Sequence, residues 1–186
     1  MELSAAGVLE AEHRYIQKVV GVAALHADGI EAGETPDFGL LGEVLDFLRA
    51  YADECHHGKE EALFFPALER NGVPPGGCPL GALKHEHVAG RALVADLATA
   101  VTDRRAGAEV PVATVLTCLK GLIELYPNHI WKEDYLLFPM AGKVLTDQDE
   151  LALADEFAKA DEAFGLVKRR RFEEWADAVS DRALAA

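Results

Sequence analysis

Apolar residues recur at three- and four-residue intervals along most of the chain, which predicts amphipathic helices. Ala6, Leu9, His13, Ile16, Val20, Ala23 and Ala27 form one stripe, with Gly29 and Gly33 expected to end it. A second stripe, Leu41, Val44, Leu45, Leu48, Ala52, Cys55 and Ala62, starts after Pro36 and runs towards Phe65-Pro66. Asn71-Gly72-Val73-Pro74-Pro75-Gly76-Gly77 reads as a loop. Leu80, Leu83, His87, Gly90, Val94, Leu97 and Val101 make the third stripe; Val112, Val115, Leu119, Leu122, Tyr126 and His129 make the fourth, which runs to Phe138-Pro139. No segment keeps strand alternation for long enough to compete. The predicted fold class is therefore all-α, an up-down four-helix bundle. Thr146, followed by Asp147, Asp149 and Glu150, predicts one more helix start and a helical extension carrying Phe157, Phe164, Phe172 and Trp175. The expected division is a bundle over residues 1–145 and an extension over 146–186. The extension is expected to pack across the bundle, or onto a second copy or a partner protein.

An internal repeat changes this picture from scaffold to site. Lys59-Glu60-Glu61-Ala62-Leu63-Phe64-Phe65-Pro66 aligns without a gap on Lys132-Glu133-Asp134-Tyr135-Leu136-Leu137-Phe138-Pro139, and a His stands three residues before each Lys, His56 and His129. Leu9-Glu10-Ala11-Glu12-His13 matches Leu83-Lys84-His85-Glu86-His87 in the same way. The chain reads as two copies of a helical hairpin, each with one His on its first helix and His-x-x-x-Glu on its second. Residues four apart share a helix face, so His56 with Glu60, and His129 with Glu133, each present an imidazole and a carboxylate to a common point. His13 and His87 lie inside apolar stripes. Four imidazoles and two carboxylates facing a core are costly without partners, and a metal ion supplies one. Nitrogen with carboxylate oxygen suits iron or manganese, and six ligands suit two ions sharing bridging carboxylates.

Single members of this set have plainer readings: a lone inward His is usually a hydrogen-bonded core residue, and one His-x-x-x-Glu pair is usually a surface pair. Matched recurrence is what favours ligands. His57 with Glu61 has the same spacing as His56 with Glu60; helical phase and the repeat favour the latter, leaving His57 outside the ligand set or exposed. Lys59 then falls near the middle of the apolar face, against that phase. His85 and His26 point elsewhere. Tyr126, one turn before His129, either donates a hydrogen bond into the site or fills the core, and the core reading is preferred.

Composition narrows the class. Eighteen Lys+Arg against 32 Asp+Glu give a formal charge of -14, a poor match for nucleic acid or anionic lipid. No stretch has the length and apolarity to span a bilayer and no basic leader precedes an apolar run, so no membrane partner and a cytoplasmic location are expected. Cys55, Cys78 and Cys118 show no C-x-x-C spacing, which argues against a disulfide framework or a zinc-thiolate site; Cys55 beside His56 is the one positioned to respond to oxidation. Lys168-Arg169-Arg170-Arg171 reads as a solvated helix face.

The segment from Leu9 to Met140 resembles the hemerythrin-like family, or HHE cation-binding domain. The likeness rests on Glu12-His13, His56-His57-Gly58-Lys59-Glu60-Glu61, Glu86-His87 and His129-Ile130-Trp131-Lys132-Glu133-Asp134, with the Leu-to-Pro ends of both repeats. It implies two iron ions joined by an oxo or hydroxo bridge, with manganese or zinc as substitutes. His13 and His56 would serve one iron, His87 and His129 the other, and Glu60 and Glu133 would bridge. Oxygen-carrying members have a fifth His four residues from the third-helix ligand; here Leu83 and Arg91 stand at those places, which implies an exchangeable position and argues against reversible oxygen carriage. Three expectations follow: a di-iron protein, and so an oxidoreductase, binding and reducing or detoxifying O2, peroxide or NO; an oxygen- or iron-sensing or iron-binding module without turnover; or a metal-free scaffold.

Overall fold

The computed structural model describes residues 4–185; the first three and the last lie outside the described residues. These form six continuous helical stretches and, among the described residues, no strand. Helix α1 spans Ala5–Glu31, its N-terminus capped by the Ser4 hydroxyl, which accepts from the Gly7 amide. Gly29 lies inside it, and the turn comes at Gly33, whose φ of 103° suits glycine. Asp37 caps α2, Phe38–Phe47, by accepting from the Gly39 and Leu40 amides.

Helix α2 does not stop where its apolar stripe suggests. It continues through π-helical turns at Leu48–His57 and Glu60–Phe64 into α3, Phe65–Arg70. The fourth bundle helix repeats this device: α5, Val112–Lys132, passes through a π-helical turn at Glu133–Leu137 into α6, Phe138–Val144. Pro66 and Pro139 follow these turns directly. Proline lacks an N–H and clashes with the carbonyl four residues back; a widened turn relieves that clash, so both helices run past the prolines. Helix α4, Leu80–Arg105, completes the bundle.

Two apolar clusters form, one at each end of the bundle. Ile16, Phe47, Tyr51, Leu97, Leu119 and Leu122 belong to the larger, and Leu9, Phe64, Phe65, Leu68, Leu83 and Leu137 to the smaller. On every bundle helix the predicted ligands fall in sequence between the two. The chemistry therefore sits in a polar layer sandwiched by hydrophobic ones.

The extension forms two helices. Thr146 opens α7, Asp147–Phe164, in a capping box with Asp149, and Gly165 at φ 101° turns the chain into α8, Leu166–Leu184. Both pack on the bundle, α8 chiefly against α1 and α7 against α1 and the π-helical part of the second helix. Leu153 and Phe157 enter the smaller cluster, and Ala176, with Phe172 and Trp175 beside it, the larger; Lys18–Asp177 and Lys168–Glu54 ion pairs rim the contact. The basic run is not wholly solvated, because Arg169 turns inward onto α1 while Lys168 and Arg170 stay exposed. Phe157 is 2% exposed. Phe157→Ala is expected to cost about 3 kcal/mol by leaving a cavity, read as a lowered denaturant midpoint with an unchanged slope.

Candidate metal centre

All six predicted residues meet in the polar layer. His13 comes from α1, His56 and Glu60 from the long second helix, His87 from α4, and His129 and Glu133 from the fourth; every one is buried. His13 Nε2 lies 3.1 Å from His56 Nε2, and His87 Nε2 lies 3.2 Å from His129 Nε2. Each carboxylate spans both pairs. Glu60 places one oxygen 3.7 Å from His56 Nε2 and the other 3.4 Å from His87 Nε2. Glu133 places its oxygens 3.1 Å from His13 Nε2 and 3.3 Å from His129 Nε2.

His57 is neither exposed nor peripheral. It is buried, stacks on His87 at 3.9 Å between ring centroids, and with Glu60, His87 and His129 forms a group of donors all within 4.8 Å of one another. His13, His56, Glu60 and Glu133 form a second such group, so the two share Glu60. The π-helical turn explains why helical phase misplaced His57: a widened turn reduces the rotation per residue, so neighbours His56 and His57 both face inward.

Every ring is held from behind by an acid. His13 Nδ1 donates to Asp134 at 2.7 Å, His56 Nδ1 to Glu12 at 2.9 Å, His87 Nδ1 to Glu61 at 2.6 Å, His129 Nδ1 to Glu86 at 3.0 Å, and His57 Nδ1 to Asp53 at 3.3 Å. These contacts fix each tautomer with Nε2 turned to the centre, the arrangement that imidazole ligands use. Behind the acids stand cations: Lys59 on Glu12, Lys132 on Glu86, and Arg91 across both Asp53 and Glu61. Lys59, which defied the apolar-face reading, is thus the buried counterion of Glu12. Sequence reasoning weighed Glu61 only as an alternative ligand and gave the other acids no role, although the repeat carries four of them: Glu12 and Glu86 precede the first-helix histidines, and Glu61 and Asp134 follow the shared carboxylates.

His85 is exposed, and His26 accepts a hydrogen bond from the Asp37 amide far from the centre. Tyr126 is buried with its ring 6.5 Å from His57, in line with the core reading. Cys55 is buried beside Asp161, and burial pushes its thiol up to about 12, which removes the thiolate that oxidation needs. Glu12, Cys55 and Asp161 also converge, but Lys59 pairs with both acids there, so that cluster is already neutralised.

The donor set fits a cation on a specific ground. All four oxygens of Glu60 and Glu133 are buried with no hydrogen-bond partner, an arrangement folding avoids unless another ligand satisfies them. Electrostatics agree. Burial, and then the facing Glu133 charge, push Glu60 up to about 7, while His129 and His13 overcome burial to hold Glu133 well below the usual carboxylate range. Burial lowers His13, but Asp134 and Glu133 outweigh it and raise the ring to about 9; Glu133 likewise outweighs burial at His129 and raises it to about 10. Burial holds His56 and His57 low, the latter at about 3.

A helical bundle that turns five imidazoles and two shared carboxylates onto one buried point is a cation-binding architecture. The model of the hemerythrin HHE cation-binding domain matches residues 4–141, and the chain belongs to that family. No curated protein and no solved structure matches it. None of its helices is long and apolar enough to cross a membrane among the described residues.

Protons and a metal ion compete for the same nitrogens. At pH 6–8 His13 and His129 hold protons that an incoming ion must displace, so apparent affinity should rise with pH and level off near pH 9–10. Competition with a chelating dye across this range measures it; a flat profile would rule these rings out as ligands.

Proposed function

We propose that the chain is a non-haem di-iron protein that binds and reduces or detoxifies a small oxygen or nitrogen oxide species. One observation carries the reading: two partnerless carboxylates, Glu60 and Glu133, each reach across both imidazole pairs, as bridges between two ions would. His13 and His56 would hold one iron, His87 and His129 with His57 the other. Two irons at such a centre supply two electrons and exchangeable coordination positions. The protein's own groups do the rest. The carboxylates behind the rings fix their tautomers, the flanking apolar clusters exclude bulk water, and Asp53 holds His57 in place.

His57 also revises the vacancy inferred from the missing fifth histidine. Arg91, at that position on α4, clamps Asp53 at 2.7 Å, and Asp53 holds His57. The additional ring comes from the second helix instead.

Size supports the substrate class. A cleft of about 90 Å³ is lined by Leu48, Arg49, Asp53, His57, Arg91, Val94 and Tyr126, with Arg49 exposed, Arg91 partly exposed and His57 buried. Pockets for organic metabolites run to about 300–1,000 Å³, so this one admits only a few heavy atoms, the scale of O2, peroxide or NO. The three free thiols suit the reducing cytoplasm.

Anaerobic loading with ferrous iron should give about two irons per chain by metal analysis. Glu133→Ala should lose at least one of them, since outer and inner ligand losses at metal sites cost tenfold or more in affinity. Stopped-flow absorption after mixing with O2, peroxide or NO should show turnover of at least one, and Val94→Phe, which fills the cleft, should slow it about tenfold with iron content unchanged. A loaded centre inert to all three would remove the enzymatic claim and leave a binding or sensing module.

A further inference from the structure

The internal repeat makes the two halves of the centre comparable group by group, and beyond the added ring of His57 they differ in what lies behind equivalent rings. Glu12 and Glu86 play equivalent parts. Each gives one oxygen to a histidine Nδ1, His56 or His129, and the other to a lysine, Lys59 or Lys132. Their surroundings diverge. The Glu12 and Lys59 side chains are 0% and 1% exposed, whereas Glu86 and Lys132 are 25% and 28% exposed.

The extension causes the difference. From α7, Asp161 accepts from Lys59 Nζ at 2.8 Å. From α8, Arg169 reaches Glu12 at 3.1 Å, pairs with Asp161, and donates through Nε to Glu173 at 2.9 Å; Glu173 in turn accepts from the Tyr51 hydroxyl at 3.0 Å. Glu12, Lys59, Asp161 and Arg169 thus alternate in sign around a closed set. On the other side, Glu61 and Asp53, which hold His87 and His57, are 38% and 35% exposed and meet only Arg91, itself partly exposed.

An ion leaves a buried site only when a ligand ring turns away. For His129 that means breaking a bond to Glu86, whose freed carboxylate is already at the water surface. In the other pair His13 is backed by Asp134, 20% exposed, and can turn as His129 does, but His56 turns only by freeing Glu12 inside a dry ionic network, where an unpaired charge is costly, so His56 keeps its hold unless α7 and α8 lift. We propose that the C-terminal extension is a clasp that makes the two cation positions unequal: Asp161 and Arg169 lock the His13–His56 ion, and the His57–His87–His129 ion exchanges. The extension thereby gains a purchase on the centre, because whatever moves α7–α8 releases the ion held through His56. The inference rests on the two-iron reading.

The full chain, loaded anaerobically with ferrous iron and counted by metal analysis, is mixed with excess chromogenic ferrous chelator. Release is expected in two phases of equal amplitude, the slower at least about tenfold slower, on the scale by which groups behind metal ligands alter affinity. Arg169→Gln and, separately, Asp161→Asn should accelerate the slow phase about tenfold and leave the fast phase unchanged, whereas Lys132→Gln should affect only the fast one. Should either extension variant melt below the assay temperature by circular dichroism, Glu173→Gln, which loosens Arg169 without emptying the network, should still accelerate the slow phase. One release rate for both ions, or a slow phase indifferent to all three extension variants, overturns the clasp. A chain loading a single ion sinks the two-iron reading instead; the clasp then stands or falls on whether that ion's release responds to Arg169→Gln and not to Lys132→Gln.

Discussion

The structure depends on keeping two carboxylates, Glu60 and Glu133, dry and without hydrogen-bond partners at the middle of a helical bundle. A buried polar group left unsatisfied costs about 1–3 kcal/mol, and a charged one more. Four such oxygens in one layer are affordable only if a positive charge sits among them. The surrounding design serves that end: an apolar cluster on either side keeps water out, and imidazoles from all four bundle helices close the layer.

Outward from the carboxylates the order is imidazole, acid, cation. Glu12, Glu61, Glu86, Asp134 and Asp53 each hold one ring, and Lys59, Lys132, Arg91 and Arg169 hold four of those five acids. A ring fixed at Nδ1 cannot swing, so Nε2 is aimed before any ion arrives, and the entropy of orienting it is spent at folding rather than at binding. The same arrangement gives Arg91 of α4 a part in it. It anchors Asp53, and through it His57, so the ring and its support come from different helices.

What could be read from the sequence was whatever is local and α-helical. Four apolar stripes placed the bundle helices, Thr146 placed the start of the extension, and the repeat singled out six residues that converge in space. The misreadings along the second and fourth bundle helices share one cause. Phase was counted at the α-helical period, while Leu48–His57, Glu60–Phe64 and Glu133–Leu137 are π-helical. The changed rotation turned His57 inward against expectation and carried both helices past prolines that otherwise mark an end; Lys59, which phase had put on the apolar face, is indeed buried there. Arg169 was illegible for another reason: its partner, Glu12, lies far away in sequence, and nothing in a run of four basic residues says which one faces a buried acid.

Duplication gives two equal half-sites, so their inequality must be built by residues that differ between the copies. One of the differences falls where the extension lies. Gly58 and Ala62 of the first copy correspond to Trp131 and Tyr135 of the second. Ala62 faces Ala152 and Leu153 of α7 across a narrow groove, whereas Trp131 and Tyr135 stack on each other in the open, 53% and 66% exposed. A small residue at Ala62 leaves room for α7 alongside the first copy, and a large one at the equivalent place, Tyr135, would crowd a helix on the second. Once α7 is seated, Lys59 cannot remain a surface lysine like Lys132; it must find buried partners, Glu12 and Asp161, and Arg169 balances the second of those two negative charges. A substitution on the outer surface thus joins the buried exchange of His57 for Ile130 in making the two ends of the same centre differ, the outer one acting through Glu12 and His56.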